Sequence, residues 1–168
     1  MIDDLEEAKI RLKENKDAIC VMVKKDFAKN LHNTRTVYPE AYDPNPNPLW
    51  FLLGDLEQGK TLEGFSVADR ITGKAAASLY ALLKPAKLYS EIVSRTALQV
   101  YEEAGIDCTY SQVVDKVLNK DQTDDCPMEK AVKDAKTPQE AYQILLKMRK
   151  AAKPEQGPVE KYQIFVEM

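Results

Sequence analysis

The sequence is poor in the residues that most often carry metal and nucleophile chemistry. In 168 residues it has one histidine, His32, and three cysteines, Cys20, Cys108 and Cys126. A zinc site of the usual Cys/His kinds needs three or four such ligands brought together, and a dispersed set with no CxxC pair is a poor source of them. A triad built on histidine would have to use His32, whose neighbours, NLHNTRTV, read as a polar surface segment. The odd, sparse cysteines also argue against a disulfide scaffold and for a reducing compartment. No apolar run is long enough to span a bilayer, and the acidic start MIDDLEEAKI lacks the apolar region of a signal peptide. Together these place the protein in the cytoplasm and off the membrane. Positive charge is not in excess either: 24 Lys and Arg stand against 27 Asp and Glu. The net charge of −3 gives no electrostatic footprint for nucleic acid.

What is present is an ordinary globular composition, 44% hydrophobic and 30% charged, in a chain long enough for one domain with a real core. Residues 2–15 read as an amphipathic helix with Ile2, Leu5, Ala8, Ile10 and Leu12 on its apolar side. AICVMVK (18–24) is a β-branched run suited to a buried strand, and a second strand is expected around Thr34–Tyr38. DPNPNP (43–48) is turn punctuation; Pro48 then opens a helix capped by Asn47 and stopped near Gly59. AKLYSEIV (86–93) and IDCTY (106–110) read as strands, with a helix between them from Ser94 to Gly105. SQVVDKVL reads as a short helix or turn, and NKDQTDD (119–125) as a polar loop. Asp121, Asp124 and Asp125 in that loop match no Ca²⁺-binding spacing. Thr137, Pro138 and Glu140 form a capping box for the last long helix. KYQIFVE (161–167), after the breaker KPEQGP, alternates as a terminal strand. Strands alternating with helices indicate an α/β layered domain, here a single domain over 1–153 followed by a tail, 154–168, with an extra strand.

The chain is organised around Leu62–Pro85, LEGFSVADRITGKAAASLYALLKP. A short apolar strand end leads through a turn into a helix with a small-residue face, capped by Asp69 or Thr72. Lys74 falls in the first turn, where the helix dipole disfavours a cation: either its stem carries the charge into water or it faces an anion. Gly73-Lys74 is not a P-loop, because Ala68 and Ala75 stand where that motif needs a Gly and a Ser or Thr. A second polar group is DDCPMEKAV. There Pro127 fits the first helical position, Cys126 the cap and Glu129 the third residue, a capping box with sulfur in place of a hydroxyl.

GFSVADRITGKAAASLYALL, YSEIVSRTALQVYEEAGI and CPMEKAV, at this spacing, resemble an uncharacterised prokaryotic family known as a domain of unknown function, with a cytidine-deaminase-like fold. The resemblance covers about residues 3–150. It implies a three-layer α/β/α sandwich with a central mixed sheet, and a common pocket lined by Asp69, Lys74, Ser94, Cys126 and Glu129. The zinc-deaminase mechanism is not implied. Its His/Cys-x-Glu and Pro-Cys-x-x-Cys helix starts are replaced here by Ala68-Asp69-Arg70 and by Val93-Ser94-Arg95-Thr96-Ala97.

Three functional readings stand. The first is a metal-free, cofactor-free enzyme on a small nucleotide-like or anionic metabolite. In it Asp69, Cys126 and Glu129 are the catalytic candidates, while Gly73, Lys74 and Ser94 hold the ligand. The second is a metabolite-binding protein without chemistry. The third is a structural or interaction module using KYQIFVE as an edge strand. A small-molecule ligand is the expected partner in the first two, and the sequence is compatible with a homo-oligomer.

Overall fold

The computed structural model describes residues 2–26, 28–29, 31–39, 49–118, 124–151 and 160–167, the last segment and residue 39 by backbone only. Its elements run α1 (Asp4–Glu14), β1 (Cys20–Asp26), β2 (Leu31–Pro39), α2 (Leu49–Glu57), β3 (Ser66–Thr72), α3 (Lys74–Leu83), β4 (Lys87–Ser94), α4 (Arg95–Ala104), β5 (Cys108–Val114), α5 (Pro127–Val132), α6 (Pro138–Ala151) and β6 (Glu160–Glu167). The strands form one six-stranded mixed sheet in the order β5-β4-β3-β1-β2-β6. β3, β4 and β5 are parallel neighbours joined through α3 and α4, as parallel pairing requires a crossover. The pairs β1–β3, β1–β2 and β2–β6 are antiparallel. This is an α/β fold.

Strand alternation sorts the core. Cys20 and Met22 of β1 face the larger cluster, with Val67, Leu88 and Val93 from the sheet and Leu52, Leu79, Tyr101 and Leu145 from the helices. Val21 and Val23 face the other way, where Ala8 and Leu12 of α1 pack with Ala68. A strand with both faces buried reads as a continuous apolar run, which is why AICVMVK was legible. The stripe of α1 is narrower than its sequence indicates: Ala8 and Leu12, one turn apart, are buried, whereas Ile2 and Ile10 are exposed.

One expectation is corrected. SQVV is not a helix or turn but the second half of β5, whose residues Ser111–Val114 continue the ladder on β4. The terminal strand β6 pairs with β2 of the same chain, from His32↔Glu167 to Pro39↔Glu160. The proposed Asn47–Pro48 cap, the 43–48 turn and most of the 119–125 loop lie outside the described residues. No helix among the described residues is long and apolar enough to cross a membrane.

Candidate functional site

The start of α3 is built from a distance. Neither Asp69 nor Thr72 caps it: Asp69 lies inside β3, and the cap position is Gly73, which has no side chain to offer. The first amides of a helix have no intrahelical acceptor, and here Glu129 of α5 supplies one. Its Oε1 accepts from the Lys74 amide at 2.7 Å and its Oε2 from the Ala75 amide at 2.8 Å. A carboxylate at this end also complements the helix dipole. Gly73 is what lets it in, since a Cβ there would stand 2.3 Å from Glu129 Oε1 and 2.4 Å from Cδ. Burial pushes the Glu129 carboxyl pKa above its ordinary value, opposed by the two amides and the Lys74 charge.

Lys74 returns the favour. Its ammonium donates to the carbonyls of Lys133 at 2.9 Å and Ala135 at 2.7 Å, just past the end of α5. The cation therefore leaves the unfavourable end of its own helix and settles at the favourable end of another. It faces carbonyls rather than a free anion, at the opposite end of α5 from Cys126. Cys126 occupies the cap position of α5 ahead of Pro127, but its thiol makes no capping bond. The sulfur capping box does not form, because the carboxylate that would complete it serves α3.

Ser94 caps α4 as expected, its Oγ accepting from the Ala97 amide at 3.1 Å, and is buried. Asp69 is only 1% exposed. It lies opposite Cys20 and Ser90 in the sheet and accepts a 2.7 Å hydrogen bond from the Tyr80 hydroxyl, which in turn lies 3.5 Å from Cys20 Sγ. Burial raises its carboxyl to about 7, against the pull of Tyr80, the Arg70 and Ile71 amides and the Arg70 charge. Burial and the Asp69 charge push the Tyr80 phenol well above its ordinary value.

Gly73, Lys74 and Glu129 thus meet directly, with Cys126 on the same short helix as Glu129. Asp69 and Ser94 are engaged separately. The open space beside the clamp is a cleft of about 390 Å³ between α3, α4 and the start of α6, where Lys74, Ser78, Thr96, Gln99, Glu103 and Lys136 present polar groups. Sequence reasoning missed this cleft, whose only signal is the polar face of SRTALQVYEE. It also missed Arg70, discussed below. Among the described residues no group of three or more His, Cys, Asp or Glu is placed to hold a metal ion.

These features define an α/β domain with a mixed sheet whose helix ends are tied to one another by side chains. The chain belongs to the TM1506 family, a domain of unknown function (DUF1893), which matches residues 14–148. It is similar to a DUF1893 family protein (TM1506) from Thermotoga maritima known from a crystal structure. The TM-score is 0.66 and the identity 26%, over 88% of this chain and 92% of that one. No curated protein matches.

Proposed function

We propose that this chain is a cytidine-deaminase-like α/β/α sandwich that binds a small nucleotide-like or anionic metabolite without converting it, in the cytoplasm and without metal or cofactor. The deaminase-like part of this reading rests on the resemblance of the ADRITGKAAA and CPME blocks and on helices packed against both faces of a mixed sheet. The observation that carries the non-catalytic part is the occupancy of the α3 start. The helix end corresponding to the first zinc-bearing start of a deaminase holds the protein's own Glu129 carboxylate. Lys74 is committed to carbonyls. Ligand binding falls to the adjoining cleft, where Lys136 supplies positive charge beside the Glu103 carboxylate and Thr96 and Gln99 supply neutral polar groups. Residues 1–153 form the binding domain and 154–168 an appended strand.

The test is a thermal-shift screen with nucleosides, nucleotides and small carboxylates, followed by NMR of the recovered compound. One class raises the melting temperature, Lys136→Glu removes the shift, and the compound returns unchanged. Failure of every class to bind defeats the reading. A second reading, an enzyme using Asp69, Cys126 and Glu129, is favoured by one observation: a buried carboxyl titrating near neutrality beside a tyrosine is the kind of group that moves protons. Conversion of the bound compound, lost in Asp69→Asn or Cys126→Ser, would establish it.

A further inference from the structure

The cleft between α3, α4 and the start of α6 holds two charges of opposite sign that the fold does not use. Glu103 stands on its α4 wall and Lys136 just ahead of α6. Among the described residues neither the Glu103 carboxylate nor the Lys136 ammonium has a hydrogen bond or an ion pair, with each other or with any other group. The third charge at the cleft, the Lys74 ammonium, already donates to the Lys133 and Ala135 carbonyls. The rest of the lining is neutral: Thr96 and Gln99 are polar, while Val100, Ala104 and Pro138 are apolar. No aromatic side chain among the described residues lines the space.

We infer that the ligand of this cleft is a free amino acid, its carboxylate held by Lys136 and its ammonium by Glu103. This rests on the reading above that the cleft binds a metabolite, and names its class. The choice follows from charge and surface. For a purely anionic ligand the attraction of Lys136 is offset by the repulsion of Glu103. The phosphate of a nucleotide meets that repulsion, and its base finds no aromatic ring to stack on. A zwitterion turns the same repulsion into attraction, and each of its ends makes a charge-assisted hydrogen bond. Val100, Ala104 and Pro138 offer apolar surface to an aliphatic side chain. The volume, about 390 Å³, is at the small end of ligand clefts and suits an amino acid better than a nucleotide.

Amide NMR titration of the full chain with each protein amino acid tests this, followed by the des-amino and des-carboxy analogues of the best binder and by inorganic phosphate. One amino acid should shift the Gln99, Glu103 and Thr137 amides, and each analogue should bind at least about tenfold more weakly. Glu103→Gln should weaken the amino acid about tenfold while the des-amino carboxylate binds as well as before or better. Lys136→Met should weaken both. Loss of fold would not produce that split, and both side chains belong to exposed residues. A des-amino carboxylate or phosphate that binds as tightly as any amino acid overturns the inference. So does an amino acid that binds away from these amides or is indifferent to Glu103→Gln. If no amino acid binds while a nucleotide or a simple carboxylate does, this inference alone falls; if nothing binds, the reading of the cleft falls with it.

Discussion

Asp69 and Arg70 are neighbours on β3, yet the two sides of the sheet treat their charges in opposite ways. Arg70 serves the α1 side. Its Nε donates to the Ala18 carbonyl at 2.6 Å, its Nη2 to the Leu12 and Asn15 carbonyls at 2.7 Å, and its Nη1 to Glu91 at 2.9 Å. One guanidinium fork thereby closes the end of α1, where a cation is favoured. Asp69, under α3, has a hydroxyl, nearby amides and the charge of its neighbour Arg70 for support, and burial dominates. A buried charge is tolerated where donors or acceptors complete its geometry and otherwise holds on to its proton. The ADR block that carries the family resemblance therefore joins two structural tasks in adjacent residues.

The largest effect expected from this contrast is a pH dependence. The folded-state pKa of Asp69 lies above its unfolded value. Its contribution to stability is therefore complete below 3.8 and lost as pH rises to about 7. The span corresponds to about 4 kcal/mol. Urea denaturation from pH 4 to 8 should show the decline, and Asp69→Asn should flatten it; a wild-type profile already flat across this window would break the contrast from the Asp69 side. Arg70→Met comes next, at about 3 kcal/mol, because it strands the carbonyls that the fork had satisfied. Hydrogen exchange should localise the loosening to α1, and uniform protection loss across the sheet would show that the side chain does something else. Lys74→Met is smaller, about 1 kcal/mol, since its carbonyls border the cleft and water can replace the ammonium. Cys126 alkylation should be the same in Lys74→Met as in wild type, because the ammonium sits at the far end of α5; a slower reaction would bring the two groups back into one site.

What could be read from the sequence was local. Ser94 and Ala97, or Thr137 and Glu140, are three residues apart, and both caps form: the Glu140 amide donates to Thr137 Oγ1 at 3.1 Å, while the Glu140 carboxylate accepts from the Lys136 amide at 2.7 Å. Gly105 stops α4 in the left-handed region at φ 72°, as its place after YEEA indicates. The α3 start was not legible, because its capping group lies 55 residues away and nothing local to GKAAA points to it. The same holds for Arg70, whose acceptors on α1 are 55 and 58 residues back. β5 was misread beyond Tyr110 because an edge strand exposed on both faces carries no alternation to reveal it. The grouping of Lys74 with Glu129 followed from the family resemblance; that they meet to hold two helices together came from the geometry.

The central claim is that Glu129 is committed to the α3 start, and a double-mutant cycle on Gly73 and Glu129 tests it most directly. Gly73→Ala alone forces the carboxylate off the amides, and Glu129→Ala alone removes it, each costing about 2 kcal/mol in chemical denaturation. Once Glu129 is gone the three atoms nearest the added methyl are gone with it, so the double variant should be no less stable than Glu129→Ala by more than a few tenths of a kcal/mol. Additive losses would contradict the account, and would mean that the two residues act independently and that the Glu129 carboxylate is free for other work.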